Sequence, residues 1–112
     1  MDELAAVGDD LRRRSWSSTE LILTFDDALD ALVALREHGV RRVGWEGLAG
    51  WPDKRIGGTS IEGVGPCVIG TVDYMPLDEC RHSMEVENIR CAGKLTKVDN
   101  VLLFCVTAEE PM

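Results

Sequence analysis

The sequence predicts an α+β fold: one small domain with an antiparallel sheet and one or two helices on one face. Three observations carry this. Short apolar runs rich in β-branched residues, at 20–25 (ELILTF), 40–48 (VRRVGWEGL), 67–75 (CVIGTVDYM) and 100–108 (NVLLFCVTA), read as strands. Between the first two, Ala28, Leu29, Leu32, Val33 and Leu35 recur at helical spacing. And 112 residues are enough for one hydrophobic core and no more.

Taken in order, residues 1–18 read as a flexible or loosely docked leader and 19–112 as the domain proper. In the leader, Leu4, Val7 and Leu11 line one face of a short helix that Gly8 weakens by about 1 kcal/mol. Arg12, Arg13 and Arg14 form the one dense positive spot, and Ser15-Trp16-Ser17-Ser18 is a loop with Trp16 tucked against the body. A helix over 26–38 follows the first strand. Thr24 is placed to cap a free backbone N–H, with Asp27 three residues on in a capping-box arrangement. Gly39 can take the left-handed conformation that ends the helix.

A strand at 40–48 joined this tightly to the helix makes a βαβ unit. Gly44 and Gly47 within it suggest a bulge or a close approach by another segment. Pro52-Asp53 then marks an exposed turn, and an irregular excursion runs to Pro66. Pro76, Asp78 and Glu79 open a second helix, whose pattern runs over 77–84. Over 85–95 the periodicity conflicts: Cys91 and Leu95 continue the helical face, whereas Met84-Glu85-Val86-Glu87 alternates as a strand does. Gly93 suggests a stop. The run at 100–108 is apolar throughout, as in a central strand covered on both faces. Two arrangements fit: a ferredoxin-like βαββαβ order, or a single helix on an antiparallel sheet in which 84–91 pairs with the last strand.

Charge limits the partners. A net charge of −8 opposes binding to nucleic acid or to an anionic membrane surface, where Lys and Arg must neutralise phosphate. It suits a basic protein partner. No run approaches the roughly 20 apolar residues that span a bilayer, and the first ten residues lack the basic-then-apolar order of an export signal, so the expected location is the cytoplasm. In that setting Cys67, Cys80, Cys91 and Cys105 are expected as thiols rather than disulfides.

Catalytic and ligand-binding constellations are thin. Gly57-Gly58-Thr59-Ser60 has the small residues of an anion loop but no lysine and no following helix. Cys80, His82 and Cys91 lack the close paired spacing of a zinc site. His38 and His82 are the only histidines that could serve a nucleophile, and neither is singled out. Glu46, Asp53 and Glu62 could pair as carboxylates only across a cleft. No catalytic set, metal site or cofactor is therefore assigned.

The tryptophan-rich, glycine-rich stretch gives the stronger signal. Trp45 and Trp51 stand six apart in GWEGLAGW, and tryptophan and arginine are enriched at binding hot spots. The expected function is that of a small acidic binding module that neutralises a basic protein such as a toxin, in the manner of immunity proteins and antitoxins. Trp51, Glu46, Asp53, Arg55 and Glu62 are its contact residues. The alternative is a ligand-binding or regulatory domain in which 49–65 closes over a small molecule; irregular segments of that length in compact domains are usually functional or disordered.

Overall fold

The last apolar run, expected as a central strand, is an inner strand. A computed structural model of the chain describes residues 2–57, 60–61, 65–66, 71–95 and 100–110. In it β6 (Val101–Ala108) pairs antiparallel with β1 (Ile22–Thr24) on one side and with β2 (Arg42–Gly50) on the other. β5 (Thr71–Pro76) adds to the far side of β2, giving the order β1-β6-β2-β5. The main elements follow the expected strand, helix, strand, strand, helix, strand order. β1 and β2 run parallel with β6 between them, and β5 and β6 run parallel with β2 between them, so both βαβ units are split. The ferredoxin-like reading extends only to that element order; the inner pair is the second and fourth of the four main strands. A separate two-stranded piece pairs Ser60–Ile61 (β3) with Gly65–Pro66 (β4).

Local chemistry explains the helix α3 (Phe25–Glu37), which bears out the expected one. Its C-terminus is a Schellman motif. Gly39 sits at φ 96°, its N–H donates to Arg36 O, and Val40 N–H donates to Leu35 O at 2.9 Å. Only glycine adopts that conformation without strain. The N-terminus differs from expectation. The Thr24 hydroxyl does not cap a backbone N–H; it donates to the Asp27 carboxylate at 3.3 Å, and Asp27 is drawn aside by Arg14 at 3.0 Å.

The ambiguous segment resolves as helix: α4 spans Leu77–Leu95 and passes through Gly93 without stopping. Leu77, Cys80, Met84, Glu87 and Cys91 form its buried face, three or four residues apart. The apparent strand alternation arose because a glutamate occupies an inward position while Val86 and Ile89 face solvent. Glu87 is tolerated there because Arg90 pairs with it and the Cys91 thiol donates to it at 3.1 Å.

Strand alternation then sorts the sheet into two faces. Leu23, Val43, Trp45, Ala49, Leu102, Phe104, Val106 and Ala108 meet α3 and α4 in the main core. Trp45 and Phe104 pack with ring centroids 5.2 Å apart, and Trp45 Nε1 donates to Ser83 Oγ on α4 at 3.0 Å. Ile22, Leu48, Val101, Leu103 and Cys105 line the other face. The expected irregularity in β2 is present: the β2–β5 register shifts between Val43 and Trp45, at Gly44. β2 itself runs to Gly50, so Ala49 and Gly50 belong to the sheet, facing Leu102 and Val101.

The leader residues form two short helices, α1 (Glu3–Ala6) and α2 (Asp9–Arg14), separated by Gly8 at φ 91°. Leu4, Val7 and Leu11 join the main core, and Glu3 accepts the N–H of Ala108 at 3.0 Å. The chain then wraps the β1 edge. Ser15 Oγ accepts the N–H of Ile22, and Trp16 N–H donates to Ile22 O at 2.8 Å. These contacts satisfy the outward N–H and C=O of Ile22 in a three-residue edge strand, a common defence against edge-to-edge pairing.

Candidate functional site

The irregular excursion begins with a hairpin. Pro52 and Asp53 occupy the centre of a turn closed by Lys54 N–H donating to Trp51 O at 2.9 Å. Trp51 N–H donates to Arg55 O, and Gly57 N–H returns to Ala49 O at 2.7 Å. Ile56 forms a bridge with Gly50. Residues 51–57 thus fold back on the end of β2. Lys54 holds φ 72°, a left-handed position that Lys seldom takes.

Two cations of this turn each rest on a tryptophan. The Arg55 guanidinium lies 4.9 Å from the centroid of the Trp51 ring, and the Lys54 ammonium lies 4.3 Å from that of Trp16. Arg55 Nε also binds Asp53 at 2.8 Å. The Arg55 backbone N–H, followed by the Arg55 side chain, holds the Asp53 carboxyl below its ordinary range. Trp51 packs closely on the glycine after it: a Cβ at Gly57 would stand 2.7 Å from the indole ring. A Cβ at Gly50 would stand 2.6 Å from both Trp16 and Leu103, so the missing side chain is what seats Trp16 on the sheet. Buried Asn100 anchors the same corner, donating to Gly50 O at 3.0 Å.

Of the five contact residues expected from sequence, three come together: Trp51, Asp53 and Arg55 form one stacked and ion-paired turn. Glu46 stands apart. It is exposed on β2 opposite Cys105, five residues before Trp51 and so roughly 16 Å along an extended chain. Its neighbourhood is the face of the sheet that carries Ile22, Leu103 and Cys105. Burial pushes the Cys105 thiol up to about 11, with the negative charges of Glu20, Glu46 and Glu3 adding to it. Glu62 lies outside the described residues, as do Gly58 and Thr59 of the suggested anion loop and Cys67. Sequence reading left Lys54 unmarked. Its contact with Trp16 joins segments far apart in the chain, which no local pattern announces.

The other constellations do not converge. Cys80 and Cys91 are fully buried, whereas His82 is exposed on the opposite side of α4. Cys80, Cys91 and Cys105 are buried thiols with no disulfide. Among the described residues no group of three or more His, Cys, Asp and Glu side chains is placed to hold a metal ion, and no helix is long and apolar enough to cross a membrane. Comparison of the chain with protein-family models, curated proteins and solved structures finds no significant match.

Proposed function

We propose that the chain is a small acidic binding module that neutralises a basic protein, with the 51–57 turn as its anchor. One observation carries the reading: Trp51 is exposed in part yet held in place by Arg55 and by Gly57. A rigid, amphipathic aromatic ring loses little entropy on binding, and such residues dominate interface energies. Asp53 beside it and Glu46 along the strand add carboxylates to a chain of net charge −8, which favours encounter with a basic surface. An immunity protein or antitoxin working this way acts by occlusion and needs no chemistry of its own.

The test is association kinetics with the product of the neighbouring gene as candidate partner. Binding at a rate that falls about tenfold or more from low to high salt, and that Trp51→Ala weakens, is the expected result. A rate indifferent to salt, or full affinity in the Trp51→Ala variant, counts against it. A metabolite that raises the melting temperature while no protein binds would favour the small-ligand alternative.

A further inference from the structure

The outer surface of the helical layer carries a feature that the fold does not use. Asp26, Asp30, Val33 and Glu37 are spaced four, three and four residues apart, which puts them on one outward stripe of α3, about 16 Å long. Val33 is 52% exposed. The three carboxylates are exposed and make no hydrogen bond or ion pair among the described residues. Arg14, whose charge reaches Asp30, is paired with Asp10 at 2.6 Å and Asp27 at 3.0 Å, Arg36 binds Asp78 at 2.6 Å and Arg81 binds Glu85 at 3.1 Å. Asp26 and Asp30, one turn apart, repel each other. Beside Val33 a shallow cavity of about 40 Å³ opens between α3 and α4. Leu29, Leu32 and Leu77 line it together with Arg36, Asp78 and Arg81.

We propose that this α3–α4 face is a second docking surface, for a basic polypeptide segment. The segment seats one small aliphatic side chain against Val33 in the cavity and lays Arg or Lys along Asp26, Asp30 and Glu37. Size and charge select this occupant. Small-molecule sites occupy roughly 300–1,000 Å³, far more than is available here. A few methyl-sized groups fit, in a space where each water would need about 10–15 Å³. A second copy of this chain would bring its own negative charge to the same stripe. The inference rests on the reading of a basic partner but places contact on the helical layer, away from Trp51.

The probe is a synthetic helical peptide with arginines spaced to meet the three carboxylates and one leucine spaced to meet Val33. It is titrated into the isotopically labelled full chain and followed by amide chemical shifts. Shifts centred on Leu29, Val33 and Leu77 are expected. The charge swap Asp26→Lys/Asp30→Lys/Glu37→Lys should weaken binding at least tenfold, and the neutral set Asp26→Asn/Asp30→Asn/Glu37→Gln should do so to a lesser degree with the fold intact. Val33→Ala, or a peptide lacking the leucine, should weaken binding at least threefold. Equal affinity for an oligoarginine of the same charge, or shifts centred on Glu46 and Trp51, overturns the proposal. Partner binding that is salt-sensitive but indifferent to the α3 variants removes this surface and leaves the proposed function standing. Partner binding indifferent to salt removes both.

Discussion

The Lys54 ammonium lies 4.3 Å from the centroid of the Trp16 ring, so the turn after β2 and the N-terminal segment share one contact on the face of the sheet that carries Leu103 and Cys105. Removing the charge while keeping the bulk, as in Lys54→Met, should lower stability by about 0.5–1 kcal/mol. Lys54→Gly should cost less than Lys54→Ala, because glycine releases the strain of φ 72° that alanine retains. Urea unfolding of the three variants measures the difference. Alanine more stable than glycine would show that the left-handed backbone costs less than glycine's extra unfolded-state entropy, about 0.5–1 kcal/mol, and would overturn the expectation.

Gly50 should tolerate no side chain. An added Cβ would lie 2.6 Å from the Trp16 ring and from Leu103 Cδ1. Leu103 is fully buried and cannot move aside freely. Gly50→Ala is expected to destabilise by about 1–3 kcal/mol, the usual cost of overpacking. In the Trp16→Ala background the same change should cost less, because one of the two clashing groups is gone. Strict additivity of the two variants would mean that Trp16 does not sit on Gly50 in solution.

Legibility in the sequence followed the range of the interactions. Helix α3 and strand β6 could be read because their signals are local: an apolar period, Gly39 at the helix end, an unbroken aliphatic run. α4 could be read only in its first half. Glu87 faces inward, and the reason it can do so is the pairing with Arg90 and Cys91, which matters only once the helix exists. Trp51, Asp53 and Arg55 were identifiable as a cluster because they are neighbours in sequence. The order that makes their hairpin rigid comes from Gly57 returning to Ala49 and from Trp16 arriving under Lys54, and neither has a periodic signature.

Ser83 should matter more than an ordinary half-buried serine. Its hydroxyl accepts the only polar hydrogen of the Trp45 indole, at 3.0 Å, and that ring is buried between the sheet and α4. Ser83→Ala leaves the indole N–H without that partner and should cost about 1–3 kcal/mol. Trp45→Phe removes the donor too, so adding Ser83→Ala in that background should cost far less. A double-mutant cycle by chemical denaturation reads the coupling directly, and a coupling near zero would sink the assignment.

The buried thiols predict alkaline weakness. Burial raises Cys80 from an ordinary 9.0 to about 12 and, with help from nearby carboxylates, Cys105 to about 11. Unfolding exposes both, so above pH ~9 the unfolded chain releases protons that the folded chain still holds. Stability contributed by these neutral thiols is complete below that pH. It then falls by about 1.4 kcal/mol per pH unit for each, until about pH 11 for Cys105 and about pH 12 for Cys80. Cys80→Ala should lower stability at neutral pH through the cavity it leaves, yet flatten the decline above pH 9. In the native protein at mild pH, Cys80, Cys91 and Cys105 should accordingly react slowly with thiol reagents, at a rate set by opening of the core. Fast labelling of Cys80 in the folded state, or an unchanged alkaline slope in the Cys80→Ala variant, would contradict the burial of this thiol against Met84, whose sulfur it approaches at 3.8 Å.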